Sequence, residues 1–136
     1  NVIPGEVKFS IDLRNSTDVL VDQQADEVKA FAAKLSQQTG LAIKIELVSS
    51  YSAIGFHPDC IDAVARATNK LGYSNMPVVS GAGHDAVYMA KLAPAGMIFI
   101  PCKDGISHNE IEDATLEHLE AGCNVLLHAM LERAGT

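Results

Sequence analysis

Hydrophobic and polar positions alternate strictly at the start of the chain. Val7, Phe9, Ile11 and Leu13 interleave with Lys8, Ser10, Asp12 and Arg14, the period-2 pattern of a strand with one apolar and one polar face. Asn15-Ser16-Thr17-Asp18 follows as a turn and helix-start cluster. Val28, Phe31, Ala32 and Leu35 then recur at helical spacing until Gly40 offers a stop, which predicts a helix over about Leu20 to Thr39. Leu41, Ile43, Ile45 and Leu47 alternate again. This first segment therefore reads as strand, helix, strand, half of an α+β sandwich with one sheet face exposed.

Residues 49–57 are turn-rich and read as a linker. Beyond them the texture changes. Pro58 suits the first turn of a helix whose apolar stripe is Ile61, Val64, Ala65, Thr68 and Leu71. Pro77-Val78-Val79 and Met97 to Ile100 are short apolar runs without alternation, separated by a helix predicted over about Asp85 to Leu92. Buried strands alternating with helices predict a parallel or mixed sheet covered on both faces. Leu116, Leu119, Cys123, Leu126, Leu127, Met130 and Leu131 define a closing helix. The expected class is α/β, with residues 1–50 as one unit and 51–136 as another.

Composition narrows the partners. The 136 residues are 48% hydrophobic, enough for a packed core. A net charge of -7 argues against nucleic acid or an anionic membrane as partner, since both select Lys/Arg-rich faces. Small molecules or other proteins fit better. Cys60, Cys102 and Cys123 are odd in number and lack CxxC spacing, so neither a disulfide framework nor a structural zinc site is indicated and a reducing cytoplasm is expected. No apolar run approaches the roughly 20 residues a bilayer span needs. The opening Asn1-Val2-Ile3-Pro4-Gly5 runs almost directly into a strand pattern, which suggests a piece of something longer.

The candidate chemistry concentrates between Ser80 and Asn109. Gly81-Ala82-Gly83-His84 sits between a short apolar run and a helix, where glycines let backbone amides approach an anion and His84 stands beside them as a donor or proton carrier. The alternative is a tight turn with Asp85 as the helix cap. His108 follows Gly105-Ile106-Ser107 beyond an apolar run, the end of a strand where α/β sheets gather ligands and metals; otherwise it is a solvated loop histidine. Arg14 can grip a carboxylate bidentately or pair with Asp12 on the same face. Glu110, Glu112, Asp113, Glu117 and Glu120 read as helix N-terminal charge and solvated surface. His57, His118 and His128 carry no partner pattern, and no cysteine or serine shows a nucleophile arrangement.

Taken together, Asn1-Val2-Ile3-Pro4-Gly5 with Phe9 to Arg14, Ser80-Gly81-Ala82-Gly83-His84-Asp85-Ala86, and Met97 to Pro101 with Asp104-Gly105-Ile106-Ser107-His108-Asn109 resemble the amidase/hydantoinase/carbamoylase family. This group of metal-dependent, peptidase-like amidohydrolases includes N-carbamoyl-L-amino acid hydrolases, β-ureidopropionases and allantoate amidohydrolases. The motifs come in the family's order and extend over essentially the whole chain. The resemblance implies the C-terminal part of a two-domain metallo-aminopeptidase-like fold. Residues 1–50 would be the second half of an α+β lid through which the protein homodimerises, and residues 51–136 the end of an α/β catalytic domain. It further implies hydrolysis of a linear amide or ureido C–N bond in an N-carbamoyl amino acid or related ureido acid. Two divalent ions (zinc, manganese, cobalt or nickel) are implied, with His108 as a ligand. Asn1 and Arg14 would hold the substrate carboxylate, Gly83 would offer a backbone amide, and His84 would act catalytically near the ureido carbonyl.

The sequence also departs from the family pattern. No Glu-Glu pair stands in the sequence to supply the catalytic glutamate, and the family's remaining metal ligands are not matched here. The 136 residues alone are therefore expected to be inactive and to bind metal weakly. A reading from a different class is a non-catalytic α/β dimerisation module with vestigial site motifs.

Overall fold

The computed structural model describes residues 1–135, which carry four α-helices and one 3₁₀ turn: α1 Asp18–Thr39, α2 Pro58–Lys70, α3 Ala86–Ala90, the turn Lys103–Gly105, and α4 Leu116–Gly135. The chain divides into two compact units, Asn1–Ala53 and Ile54–Thr136.

In the first unit, α1 begins where the turn cluster predicts. Thr17 takes an extended backbone, and its hydroxyl accepts from the Leu20 N–H at 3.4 Å, meeting one of the amides a helix start leaves unpaired. Gly40 ends the helix in the left-handed region at φ 73°, its N–H donating to the Ser36 carbonyl. That conformation strains any residue with a Cβ, hence the glycine. The Ala53 N–H donates to Asp18 Oδ1 at 2.7 Å, tying the end of the unit back to the start of α1. Val21, Ala25, Val28, Ala32 and Leu35 form the half-buried stripe of α1. Phe31, expected on that stripe, lies off it at 65% exposed.

In the second unit, α2 packs on α4 around Ala63, Ala67, Val125 and Ala129, with Val64, Leu71 and Ile98 beside them. The stripe predicted for α2 faces this contact at Val64, Thr68 and Leu71, with Ile61 left outside it, whereas the stripe predicted for α4 is out of phase. Ile61 on α2 and Leu126, Leu127 and Met130 on α4 are largely exposed, whereas the alanines are buried. Size explains the difference: alanines let two backbones approach closely, and the larger residues then flank the seam. Arg66 on α2 reaches Glu132 on α4, with Nε and Nη2 at 3.0 and 2.5 Å from Oε1. The segment Gly96 to Ile100 crosses this helix pair. A Cβ at Gly96 would lie 3.0 Å from the Cys60 Cβ, and one at Gly122 would lie 2.7 Å from Cγ2 of Ile100.

The expected strands are not realised. Val7 to Leu13, Leu41 to Leu47, Val78-Val79 and Met97 to Ile100 contain no strand among the described residues, and no backbone hydrogen bond pairs any of these runs with another. The sheet half of the α/β expectation is thus absent from the described residues. Alternation encodes which face of a strand is apolar, but a ladder forms only with a partner backbone. Accordingly Val7, Phe9 and Ile11 remain 71%, 79% and 57% exposed. Two smaller expectations also change. The third helix is shortened to Ala86–Ala90 and Asp85 makes no side-chain cap bond. His57, expected to play only a surface role, caps α2 by accepting the Asp59 N–H on Nδ1 at 3.2 Å. No helix is long and apolar enough to cross a membrane among the described residues.

Candidate functional site

In the first unit, Asn1 is exposed. Arg14 is also exposed, and its guanidinium engages Asp12: Nε lies 3.1 and 3.0 Å from the two carboxylate oxygens and Nη2 lies 2.5 Å from Oδ2. The hydrogen bonds from Arg14 hold the Asp12 carboxyl below the usual carboxylate range, and the same bonds raise the guanidinium further. The pair is screened by water and adds little to stability. What it does is hold a planar cation in one orientation.

In the second unit, the Gly81–Gly83 turn leads into His84, whose half-buried ring is held on two sides. Ser80 Oγ lies 2.7 Å from Nε2, and the Phe99 ring meets the imidazole edge-on at 5.6 Å between centroids and 64° between planes. Ser80 Oγ also accepts the Ala82 N–H at 3.2 Å, closing the turn. Because α3 is only five residues long, its dipole is small. Anion attraction at this turn would rest on individual amides such as that of Gly83.

His108 stands on a loop of successive turns from Lys103 to Asp113. Asp104, Gly105 and His108 all adopt the left-handed region, at φ 56°, 68° and 55°. A non-glycine residue there costs energy that its surroundings must offset. Part of the offset is visible: the His108 N–H donates to Glu112 Oε2 at 2.7 Å, and the Lys103 N–H to the Asp113 carbonyl at 2.7 Å. The result is an exposed imidazole on a braced loop.

A divalent ion held by protein takes about three or four His, Cys, Asp or Glu ligands. No group of three such residues lies close enough together to hold one among the described residues. The described residues do not make up a complete metal centre by themselves.

A cavity of about 450 Å³ opens elsewhere in the second unit, lined by Cys60, Ile98, Ile100, Leu119, Cys123 and Met130 among others. Neither His84 nor His108 lines it. The partners Ser80 and Glu112 were not singled out by sequence reasoning. Ser80 adjoins the Gly-Ala-Gly turn, a signal that was present. Glu112 reads in the sequence only as one member of the acidic run.

The chain matches the model of Peptidase family M20/M25/M40 over residues 4–132. It is 44% identical over 134 residues to an N-carbamoyl-L-amino-acid amidohydrolase of Rhizobium meliloti, covering 98% of this chain and 32% of that protein. It is 31% identical to the allantoate amidohydrolase of Bacillus subtilis (strain 168), again over 98% of this chain and 32% of the relative. The crystal structure of an amidase of the hydantoinase/carbamoylase family from Burkholderia multivorans superposes with a TM-score of 0.87 at 46% identity, covering 90% of this chain and 30% of that one. The chain spans about a third of the length of the curated relatives it matches. With the family match running through both units and a relative aligned across nearly every residue, the chain belongs to Peptidase family M20/M25/M40.

Proposed function

We propose that this chain is the part of an amidohydrolase that holds and orients an N-carbamoyl amino acid or related ureido acid while a linear amide or ureido C–N bond is hydrolysed. The observation that carries the reading is the 44% identity to an N-carbamoyl-L-amino-acid amidohydrolase along 98% of this chain. Residues 1–50 are assigned to the second half of an α+β lid that also mediates homodimerisation. Residues 51–136 are assigned to the end of an α/β catalytic domain. The apolar residues left exposed at Val7, Phe9 and Ile11 support a sheet face that gains partners from outside these residues.

Within this reading the roles fall to chemistry already described. Arg14 exchanges Asp12, which holds its Nε and Nη2 in this structure, for the substrate carboxylate, whose geometry its planar fork of donors matches, and Asn1 adds a side-chain amide. Fixing one end of the substrate in this way lowers the entropy of reaching the reactive geometry. Gly83 offers a backbone N–H, and His84 acts catalytically as a hydrogen-bond donor toward charge developing on the carbonyl oxygen. Two divalent ions, zinc, manganese, cobalt or nickel, are assigned to the whole protein, and His108 is the ligand this chain contributes. The other ligands and the general base come from residues outside it. A cytoplasmic location fits three free cysteines.

The test is metal analysis together with a panel of N-carbamoyl amino acids, ureidopropionate and allantoate on the whole protein. Bound divalent metal with hydrolysis of at least one ureido acid is expected. A metal-free protein inert to every member of the panel would favour a non-catalytic dimerisation module and end this reading.

A further inference from the structure

The contact between Ser80 and His84 has an internal asymmetry. Ser80 Oγ already accepts the Ala82 N–H at 3.2 Å, so one lone pair is used and its proton is left to donate. Its separation from His84 Nε2 is 2.7 Å. That is short for an N–H donor, whose contacts with oxygen centre near 2.9–3.0 Å, and usual for a hydroxyl donor. Phe99 against the ring hinders the flip that would exchange the two nitrogens. His84 Nδ1 has no hydrogen-bond partner among the described residues.

We propose that Ser80 is a positioning residue: it donates its hydroxyl proton to Nε2 and thereby fixes neutral His84 as the Nδ1–H tautomer. The ring's one donor is then Nδ1–H, and it is the atom with no protein partner to satisfy it. A neutral imidazole held this way donates a hydrogen bond to a substrate oxygen without carrying charge into the site. The inference rests on the assignment of His84 to the substrate site, and its consequences separate from that assignment.

The experiment uses the whole protein with 15N-labelled histidine. Long-range 1H–15N spectra, recorded above the histidine titration, report which ring nitrogen of His84 is protonated. The expected wild-type pattern is a protonated Nδ1 and a lone-pair Nε2. Ser80→Ala should shift the ring toward the Nε2–H form and lower kcat for a ureido acid ~10-fold, a part of the roughly 10²–10⁴-fold that a positioned proton donor contributes, with KM little changed. Ser80→Thr should restore both readouts. Should the alanine variant fail to fold, Ser80→Cys replaces it, since a thiol is a poor donor and predicts the same two changes. An Nε2–H signal in the wild type, or a tautomer unmoved by loss of the hydroxyl, would overturn the proposal. If instead the tautomer responds while His84→Ala leaves kcat/KM intact, His84 lies outside the site and the functional reading fails, not the hydrogen bond.

Discussion

Gly122 lies inside α4, where glycine is ordinarily a poor choice. Replacing an interior helical glycine with alanine gains ~1 kcal/mol through propensity alone. Here the added Cβ would sit 2.7 Å from Cγ2 of Ile100, well inside carbon–carbon contact at about 3.5–4.0 Å. Cγ2 is a branch fixed to the Ile100 Cβ, so it cannot swing aside as the tip of a long side chain would. Relief needs a strained rotamer or a shift of the crossing segment, and overpacking of this kind costs about 1–3 kcal/mol. The two effects oppose, and the clash wins: Gly122→Ala should lower stability by ~1 kcal/mol. In an Ile100→Ala background Cγ2 is gone, and the same substitution should stabilise by up to ~1 kcal/mol. Urea unfolding of the four proteins in this cycle gives the sign directly, with equal m-values as the control. If Gly122→Ala stabilises both backgrounds alike, Ile100 does not rest on α4 as described.

Gly40→Ala tests the opposite case, since nothing lies within 4 Å of the added Cβ and only the φ of 73° opposes it; a loss of about 1 kcal/mol is expected by urea unfolding, smaller for Gly40→Asn. His57→Ala removes the side-chain acceptor at the start of α2 and should cost ~1 kcal/mol in the same assay, while unchanged stability would deny the cap. The Glu132 carboxyl is held below its ordinary range, first by its hydrogen bond from Arg66. A depressed folded-state pKa gives stability that is present above the unfolded value and lost as pH falls through the folded one. The melting-temperature gap between wild type and Glu132→Gln should therefore close on acidification below that lowered value; a gap independent of pH would contradict the pairing.

Much of the helical framework was legible in the sequence because its signals are local. Thr17, Gly40 and Pro58 mark helix ends through chemistry confined to one turn, and those ends stand within a residue or two of where they were expected. Helix faces were legible in part on α1 and α2 and missed on α4. A stripe of large apolar residues marks what can be buried, whereas the distance between two backbones selects which residues are, and Ala63, Ala67 and Ala129 carry little hydrophobic signal of their own. The strand patterns around Phe9 and Ile45 were clear as patterns, yet pairing is a property of two segments and neither finds the other here. At the candidate site the chemistry-bearing residues stood out by type. The bonds that orient them, from Ser80 to His84 and from the His108 amide to Glu112, depend on how the turns close, which spacing does not encode.

The most direct test of the functional account couples Arg14 to the acid group of the substrate. In the whole protein, kcat/KM is measured for wild type and Arg14→Ala, each with an N-carbamoyl amino acid and with the same compound carrying a neutral carboxamide. The account predicts that Arg14→Ala loses on the order of 2–5 kcal/mol of transition-state binding on the acid and almost none on the amide. Equal losses on both substrates, or none on either, would contradict it.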